Sequence, residues 1–187
     1  MKANAGVVII GQRVTLVPYE KEHVWKYYNW MKDSWLQEMT ASEPLSIEEE
    51  FEMQKSWRED AKKCTFIVLS NAKGDDNKPE ASYTDEKAID RMAGDVNLFF
   101  NDYDDPHACE VNVMIAEEKY RRNGLAEEAV KLLMAYATSK LDVTRFFCKI
   151  IETNSASLQL FEKLGYVRYN YVPAFNQVEM ELVINDK

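Results

Sequence analysis

Glu110-Val111-Asn112-Val113-Met114-Ile115 is followed, after a short break, by Arg121-Arg122-Asn123-Gly124-Leu125-Ala126. The first run is a short β-rich segment bounded by polar residues and reads as a strand. The second opens the clearest helix in the chain, Gly124 to about Ser139, with Leu125, Ala129, Leu132, Leu133 and Tyr136 on one stripe. A strand that runs into a helix through a glycine is a physically sensible anion site. The first N–H groups of a helix have no intrahelical acceptor, and the dipole favours negative charge there. Gly124 lets a phosphate approach the backbone, Ala126 keeps the next turn slim, and Arg121 and Arg122 add positive charge. A plain strand-to-helix turn would read the same way from these residues alone.

Outward from this segment, strands are expected at Val7 to Pro18 (two β-rich pieces around Gly11), Cys64–Leu69 and Gly94–Phe100. Further strands fall at Arg145–Ile151, Tyr166–Tyr171 and Gln177–Ile184. Val14, Leu16 and Pro18 alternate against Thr15 and Val17. A helix is expected from about Glu20, with Val24, Tyr27, Tyr28 and Met31 at helical spacing. Ser46-Ile47-Glu48-Glu49 is a capping-box start for a second helix to about Asp60. Ser155–Leu164 is a helix closed by Gly165. Residues 71–92 are polar with little to bury and read as an exposed, mobile loop. The order β-α-α-β-β-β-α-β-α-β-β is that of an α+β or mixed α/β domain around one sheet.

The 187 residues suffice for one domain with a real core, and 46% apolar with 29% charged residues is ordinary globular composition. A net charge of −9 argues against a general nucleic-acid binder. An acidic surface suits a basic or amine-bearing substrate, and equally suits mere solubility. Cys64, Cys109 and Cys148 are widely spaced, and His23 and His107 are the only histidines. Buried, reduced thiols in a cytosolic protein are expected, with no metal site. The apolar run Val7-Val8-Ile9-Ile10 is too short for a signal segment or a membrane span, so a cytoplasmic protein without a membrane partner is expected.

Arg121-x-x-Gly124-x-Ala126 after a strand resembles the pyrophosphate loop of the Gcn5-related N-acetyltransferase (GNAT) superfamily, written Q/R-x-x-G-x-G/A. Asn154-Ser155-Ala156-Ser157-Leu158-Gln159-Leu160-Phe161-Glu162-Lys163-Leu164-Gly165-Tyr166 resembles its second block. Leu16-Val17-Pro18-Tyr19, His23-Val24 and Tyr28-Asn29-Trp30-Met31 look like the branch that acts on ribosomal proteins and aminoglycosides. Thr40-Ala41-Ser42-Glu43-Pro44-Leu45, Cys64–Leu69, Gly94–Phe99 and Val113–Glu117 are similar to the N-acetyltransferase 9 family, which is proposed to acetylate α- and β-tubulin N-termini. The likeness covers nearly the whole chain outside 71–92. It implies a single GNAT-type α+β domain over residues 1–187. Its sheet would be mixed and mostly antiparallel, of about seven strands with one splayed coenzyme-binding strand, flanked by about four helices.

The resemblance also implies roles. Backbone groups of Val113 and Ile115 would pair with the pantetheine arm of acetyl-CoA, and an N–H near Met114 or Ile115 would stabilise the oxyanion. Arg121, Arg122, Asn123, Gly124, Leu125 and Ala126 would take the pyrophosphate. Asn154 would bond the coenzyme or a water near the departing thiolate, or simply cap its helix. Ser157 and Phe161 would line the coenzyme. Glu110 is the candidate base, although an exposed strand-end carboxylate reads the same way. A free α-amine (pKa near ~8) asks far less of a base than lysine (~10.4). Ser42, Glu43 and Asn112 would border the acceptor, whereas the Glu48-Glu49-Glu50 run reads better as dipole-favoured surface. Phe161 stands where the family often has a tyrosine acid, which leaves the acid to Tyr166 or water. No cysteine takes a nucleophile position, which favours direct transfer in a ternary complex.

The leading expectation is therefore an acetyltransferase acting on a protein or peptide N-terminus, tubulin by resemblance, as a monomer or weak dimer. A small-amine acetyltransferase and a coenzyme-binding, microtubule-associated protein with little catalysis are the competing readings.

Overall fold

The computed structural model describes residues 2–71 and 82–185. Its strands are β1 (Ile9–Ile10), β2 (Val14–Pro18), β3 (Lys63–Ser70), β4 (Met92–Phe99), β5 (Ala108–Ile115), β6 (Arg145–Ile151), β7 (Val167–Val172) and β8 (Gln177–Val183). Among the described residues they form one sheet in the order β1-β2-β3-β4-β5-β6-β8-β7. All pairs are antiparallel except β5 with β6. The helices are α1 (Val24–Trp30), α2 (Ser34–Met39), α3 (Ile47–Glu59), α4 (Glu86–Asp90), α5 (Leu125–Lys140) and α6 (Ser155–Lys163).

Two apolar layers cover the two faces of the N-terminal half of the sheet. Val24, Tyr27, Trp30 and Leu36 pack with Val17, Ile67, Leu69, Met92 and Met114 on one face. Leu125, Ala129, Val130, Leu133 and Ala137 of α5 pack with Leu16, Phe66, Val68, Val96 and Val111 on the other. The alternation expected along β2 accordingly gives way to burial of both faces, since Val17 and Leu16 are each covered. At Gly94 a Cβ would overlap the Met114 carbonyl, so β4 and β5 can meet there only through glycine. The C-terminal half is covered on one face alone, by Leu158 and Phe161 of α6 with Tyr166.

Several boundaries follow from local chemistry. Ser46 and Glu49 form the expected reciprocal capping box on α3. Gly165, at φ 93°, carries the chain out of α6. The cysteines are free and buried, and burial pushes each thiol up to about 12.

The structure corrects four expectations. There are eight strands among the described residues, because the N-terminal β-rich run is folded into a hairpin at Gly11, whose N–H donates to the Val14 carbonyl at 2.8 Å. There are six α-helices among the described residues; α2 and α4 are single short turns capped by Asp33 and Asp85, too brief for a hydrophobic period to show. The span expected to be a loop divides. Residues 72–81 lie outside the described residues, while Ala88 and Met92 are fully buried and begin the packing of α4 and β4. Glu50 is likewise no surface residue. It is 1% exposed, and burial pushes its carboxyl up to about 7.

Candidate active site

The site is made by a strand pair that comes apart. β4 and β5 stay in register through Gly94↔Ile115, but β5 and β6 pair only at Ala108↔Arg145, Cys109↔Phe146 and Glu110↔Phe147. From there Val111–Ile115 and Cys148–Ile151 diverge into a gap with unpaired strand edges. The Ala116 N–H donates to the Ala93 carbonyl at 2.8 Å, so Ala116 faces β4. Backbone groups alternate sides along a strand, which turns those of Met114 toward β4 and those of Val113 and Ile115 into the gap. The N–H groups available to an extended ligand there are those of Val113 and Ile115, rather than that of Met114.

Glu110 lies at the vertex of the gap. In-register neighbours share a face, so Lys63, Phe99, Glu110, Phe147 and Glu181 form one row across the sheet, with Thr65, Asn97 and Asn112 beside it. Met114 on the same face packs under α1, which places Glu110 and Asn112 on the α1/α3 side. Burial raises the Glu110 carboxyl above its usual range, and Glu179 adds to the rise, while Lys149 and Lys63 oppose it. Lys149 Nζ is 3.9 Å from Glu110 Oε2. Lys63, 7% exposed, holds its ammonium 3.2 Å from the Trp57 ring centroid and 4.4 Å from that of Phe99, and burial draws it down to about 8. A buried chain continues the polar row. Thr65 Oγ1 donates to Asn97 Oδ1 at 2.7 Å, and Asn97 Nδ2 and Tyr27 OH donate to Asp95 Oδ2 at 3.2 and 3.0 Å. Burial raises the Asp95 carboxyl.

At the other end of β5, Arg122 (φ 60°) and Gly124 (φ 78°) adopt left-handed backbone, and Gly124 begins α5 without a side-chain cap. The leading N–H groups of α5 are therefore presented to whatever fills the cleft beside them. That cleft, of about 580 Å³, is lined by Arg13, Arg122, Asn123, Gly124, Glu127, Glu128, Lys131 and Lys163. A Cβ on Gly124 would come 3.1 Å from Arg13 Nη1, so the glycine leaves room for a close approach. The donor set and the shape fit the pyrophosphate of a coenzyme. Arg121 differs from the simplest picture of two arginines aimed at phosphate. Its Nε and Nη2 donate to the Ile115 and Ala116 carbonyls at 2.9 Å each, and its guanidinium lies 4.5 Å from the Trp35 ring centroid. It fastens the loop to the end of β5.

Two glutamates in the first turn of α5 would oppose an anion, and both are engaged, Glu127 by cations and Glu128 by backbone N–H groups. Glu127 accepts from Lys131 at 2.7 Å and from Lys163 at 2.6 Å, which pulls its carboxyl down to about 2. Glu128 accepts from the N–H groups of Gln12, Arg13 and Val14 at 3.3, 2.6 and 2.8 Å.

The remaining expected residues divide. Asn154 follows β6 at the open end of the gap, and its Oδ1 accepts the Ser157 N–H at 3.2 Å, so it caps α6. Phe161 is 2% exposed with its ring 4.9 Å from that of Tyr166, edge to face. The Tyr166 hydroxyl is buried, donates to Met134 Sδ at 3.4 Å and is raised by burial, so it faces the core. Ser42 bonds Thr40 Oγ1 at 2.8 Å in the connection between α2 and α3, and Glu43 is exposed there. Sequence reasoning missed Arg13, Glu128, Lys149 and Lys163. Only the Glu127–Lys131 spacing carried a local signal. Among the described residues no group of His, Cys, Asp and Glu could hold a metal ion, and no helix is long and apolar enough to cross a membrane.

The family model described as "Acetyltransferase (GNAT) domain" matches residues 13–167. An N-acetyltransferase 9-like protein of Nematostella vectensis is 45% identical over 186 residues, covering 100% of this chain and 90% of its own length. The alpha/beta-tubulin-N-acetyltransferase 9 of Mus musculus is 43% identical over 188 residues, covering 100% and 75%. A solved spermidine N-acetyltransferase from Vibrio cholerae, in complex with CoA and spermine, superposes with a TM-score of 0.74 at 16% identity, covering 92% of this chain and 96% of that one. The chain belongs to the GNAT acetyltransferases, enzymes that draw their acetyl group from acetyl-CoA.

Proposed function

We propose that this acetyltransferase modifies the free α-amine of a protein N-terminus, by direct attack on acetyl-CoA held in the gap between β5 and β6. The observation that carries the reading is the vertex of that gap, where Glu110, raised above the ordinary carboxylate range by burial, opens on the α1/α3 face beside Asn112. The pantetheine arm would pair with the Val113 and Ile115 backbone, and the pyrophosphate would rest on 122–126. As the amine nitrogen bonds the acetyl carbon, the carbon–sulfur bond breaks. The charge gathering on the carbonyl oxygen is met by an N–H of Val113 or Ile115. Glu110 takes the ammonium proton directly or through water, a modest task for an α-amine of pKa near ~8. The thiolate leaves and takes up, through solvent, the second proton that the nitrogen sheds as the amide forms, since Phe161 has no proton to give and Tyr166 is turned into the core. Ser42 and Glu43 border the acceptor from the α2–α3 connection. Tubulin is the acceptor we favour, because the similar protein of Mus musculus bears that name.

The test is acetyl transfer to N-terminal peptides, tubulin's included, beside a panel of polyamines and other small amines. Peptide turnover supports the reading, and turnover of polyamines alone overturns it. Acetyl-CoA should raise the melting temperature, and Gly124→Glu should abolish the rise. A protein stabilised by acetyl-CoA that turns over no amine would be a coenzyme-binding protein instead.

A further inference from the structure

The hairpin between β1 and β2 is far in sequence from the pyrophosphate loop, yet it is pressed against it. A Cβ on Gly11 would meet Glu128 Oε2 and Leu132 Cδ1 at 2.7 Å each and the Val14 carbonyl at 2.9 Å, so the turn lies against α5 with no space left for a side chain at residue 11. Three consecutive backbone N–H groups, of Gln12, Arg13 and Val14, close on the Glu128 carboxylate. Asn71 secures the hairpin from behind, its N–H donating to the Arg13 carbonyl at 2.8 Å and its Nδ2 to the Gly11 carbonyl at 3.0 Å. The turn is thus a fixed platform, and Arg13 projects from it. Arg13 Nη1 donates to the Asn123 carbonyl at 2.6 Å and lies over Gly124.

From this geometry we infer that Arg13 is a positioning residue for coenzyme binding, a latch that holds the left-handed Arg122–Gly124 backbone in its phosphate-receiving shape from the N-terminal hairpin. A loop with φ 60° at Arg122 and φ 78° at Gly124 is costly to maintain in a free chain, most of all at the non-glycine residue. Arg121 ties its start to the end of β5, and α5 continues from its end. The Asn123 carbonyl lies between those two anchors, and Arg13 gives it a charge-assisted partner. Glu128 serves the same device by fixing the backbone of Arg13. Without the latch, the loop would have to be ordered each time the coenzyme binds, and that ordering would be drawn from the binding free energy.

The inference rests on residues 121–126 being the pyrophosphate loop, and the two can fail separately. Wild-type binding of acetyl-CoA, with its loss in Gly124→Glu, tests the loop; Arg13 and Glu128 variants test the latch. Arg13→Ala should raise the KM and Kd for acetyl-CoA about tenfold or more, with kcat at saturating donor within about twofold. In the coenzyme-free protein it should speed hydrogen exchange at residues 121–126. Glu128→Gln should move both readouts in the same direction by less. The double variant should fall short of the product of the two effects, because both residues act through one unit. Arg13→Lys, which keeps the charge but loses the guanidinium geometry, gives the same measurement should the alanine variant fold poorly, with looser loop exchange expected. An unchanged KM overturns the latch. So does a raised KM with unchanged loop exchange, which would make Arg13 act by charge on the phosphates.

Discussion

β3 and β7 belong to one sheet and live in different solvents. Every residue of β3 is buried, between α1 and α3 on one side and α5 on the other. Along β7 every residue but Val172 is exposed, with Tyr169 and Tyr171 both more than two-fifths so. β6 and β8 lie between these extremes, apolar toward α6 and mostly polar on the opposite face, where Arg145, Lys149, Glu179 and Glu181 stand around Phe147. The closed half is a scaffold whose stability comes from apolar burial. The open half has traded that burial for a wet, charged face. The gap lies at their seam, where one strand of each half diverges after Glu110.

The comparison can be broken by truncating one aromatic in each half. Phe66→Ala, in a fully buried position, should cost about 3–5 kcal/mol in denaturant unfolding. Tyr169→Ala should stay within about 0.5 kcal/mol and so gives the smallest effect of the series. A large loss at Tyr169 would mean that the open half carries load after all.

At the seam, Glu110→Gln should lower kcat on an N-terminal peptide by about ten- to a hundredfold. The folded protein holds the Glu110 proton to a higher pH than an ordinary carboxylate, so wild-type activity should climb with pH through that raised value. The variant should lack this limb; an identical pH profile would remove Glu110 from the base role.

Glu50, inside the closed half, should show the opposite economy of charge. Its folded carboxyl titrates at about 7, above the ~4.3 of an unfolded chain, so its contribution to stability is greatest in acid and falls as pH rises through 7. Glu50→Gln should therefore stabilise the protein on the order of 1–3 kcal/mol at pH 8, and by much less near pH 4. At the mouth of the gap, Asn154→Ala should cost about 1 kcal/mol through loss of the α6 cap. If kcat also falls at fixed stability, Asn154 has a role beyond capping.

Legibility in the sequence followed the range of the forces. α5, α6 and the Ser46 cap were plain because their signals lie within a few residues of one another. α2 and α4 were not, since a single turn capped by Asp33 or Asp85 shows no period. The glycine loop could be located, but not the inward turn of Arg121 or the hold of Arg13, whose partner Asn123 is 110 residues away. Glu50 looked like the surface member of an acidic run, because its burial depends on how α3 lies over the sheet and not on its neighbours in the chain. Lys149 became interesting only once β6 lay beside β5.

The three cysteines have a practical consequence. Each is buried with its thiol pushed up to about 12, so almost none is present as the reactive thiolate at neutral pH. A thiol-reactive dye added during turnover should ignore the folded protein and colour only with the coenzyme released, which makes the reaction readable in real time without removing a single cysteine.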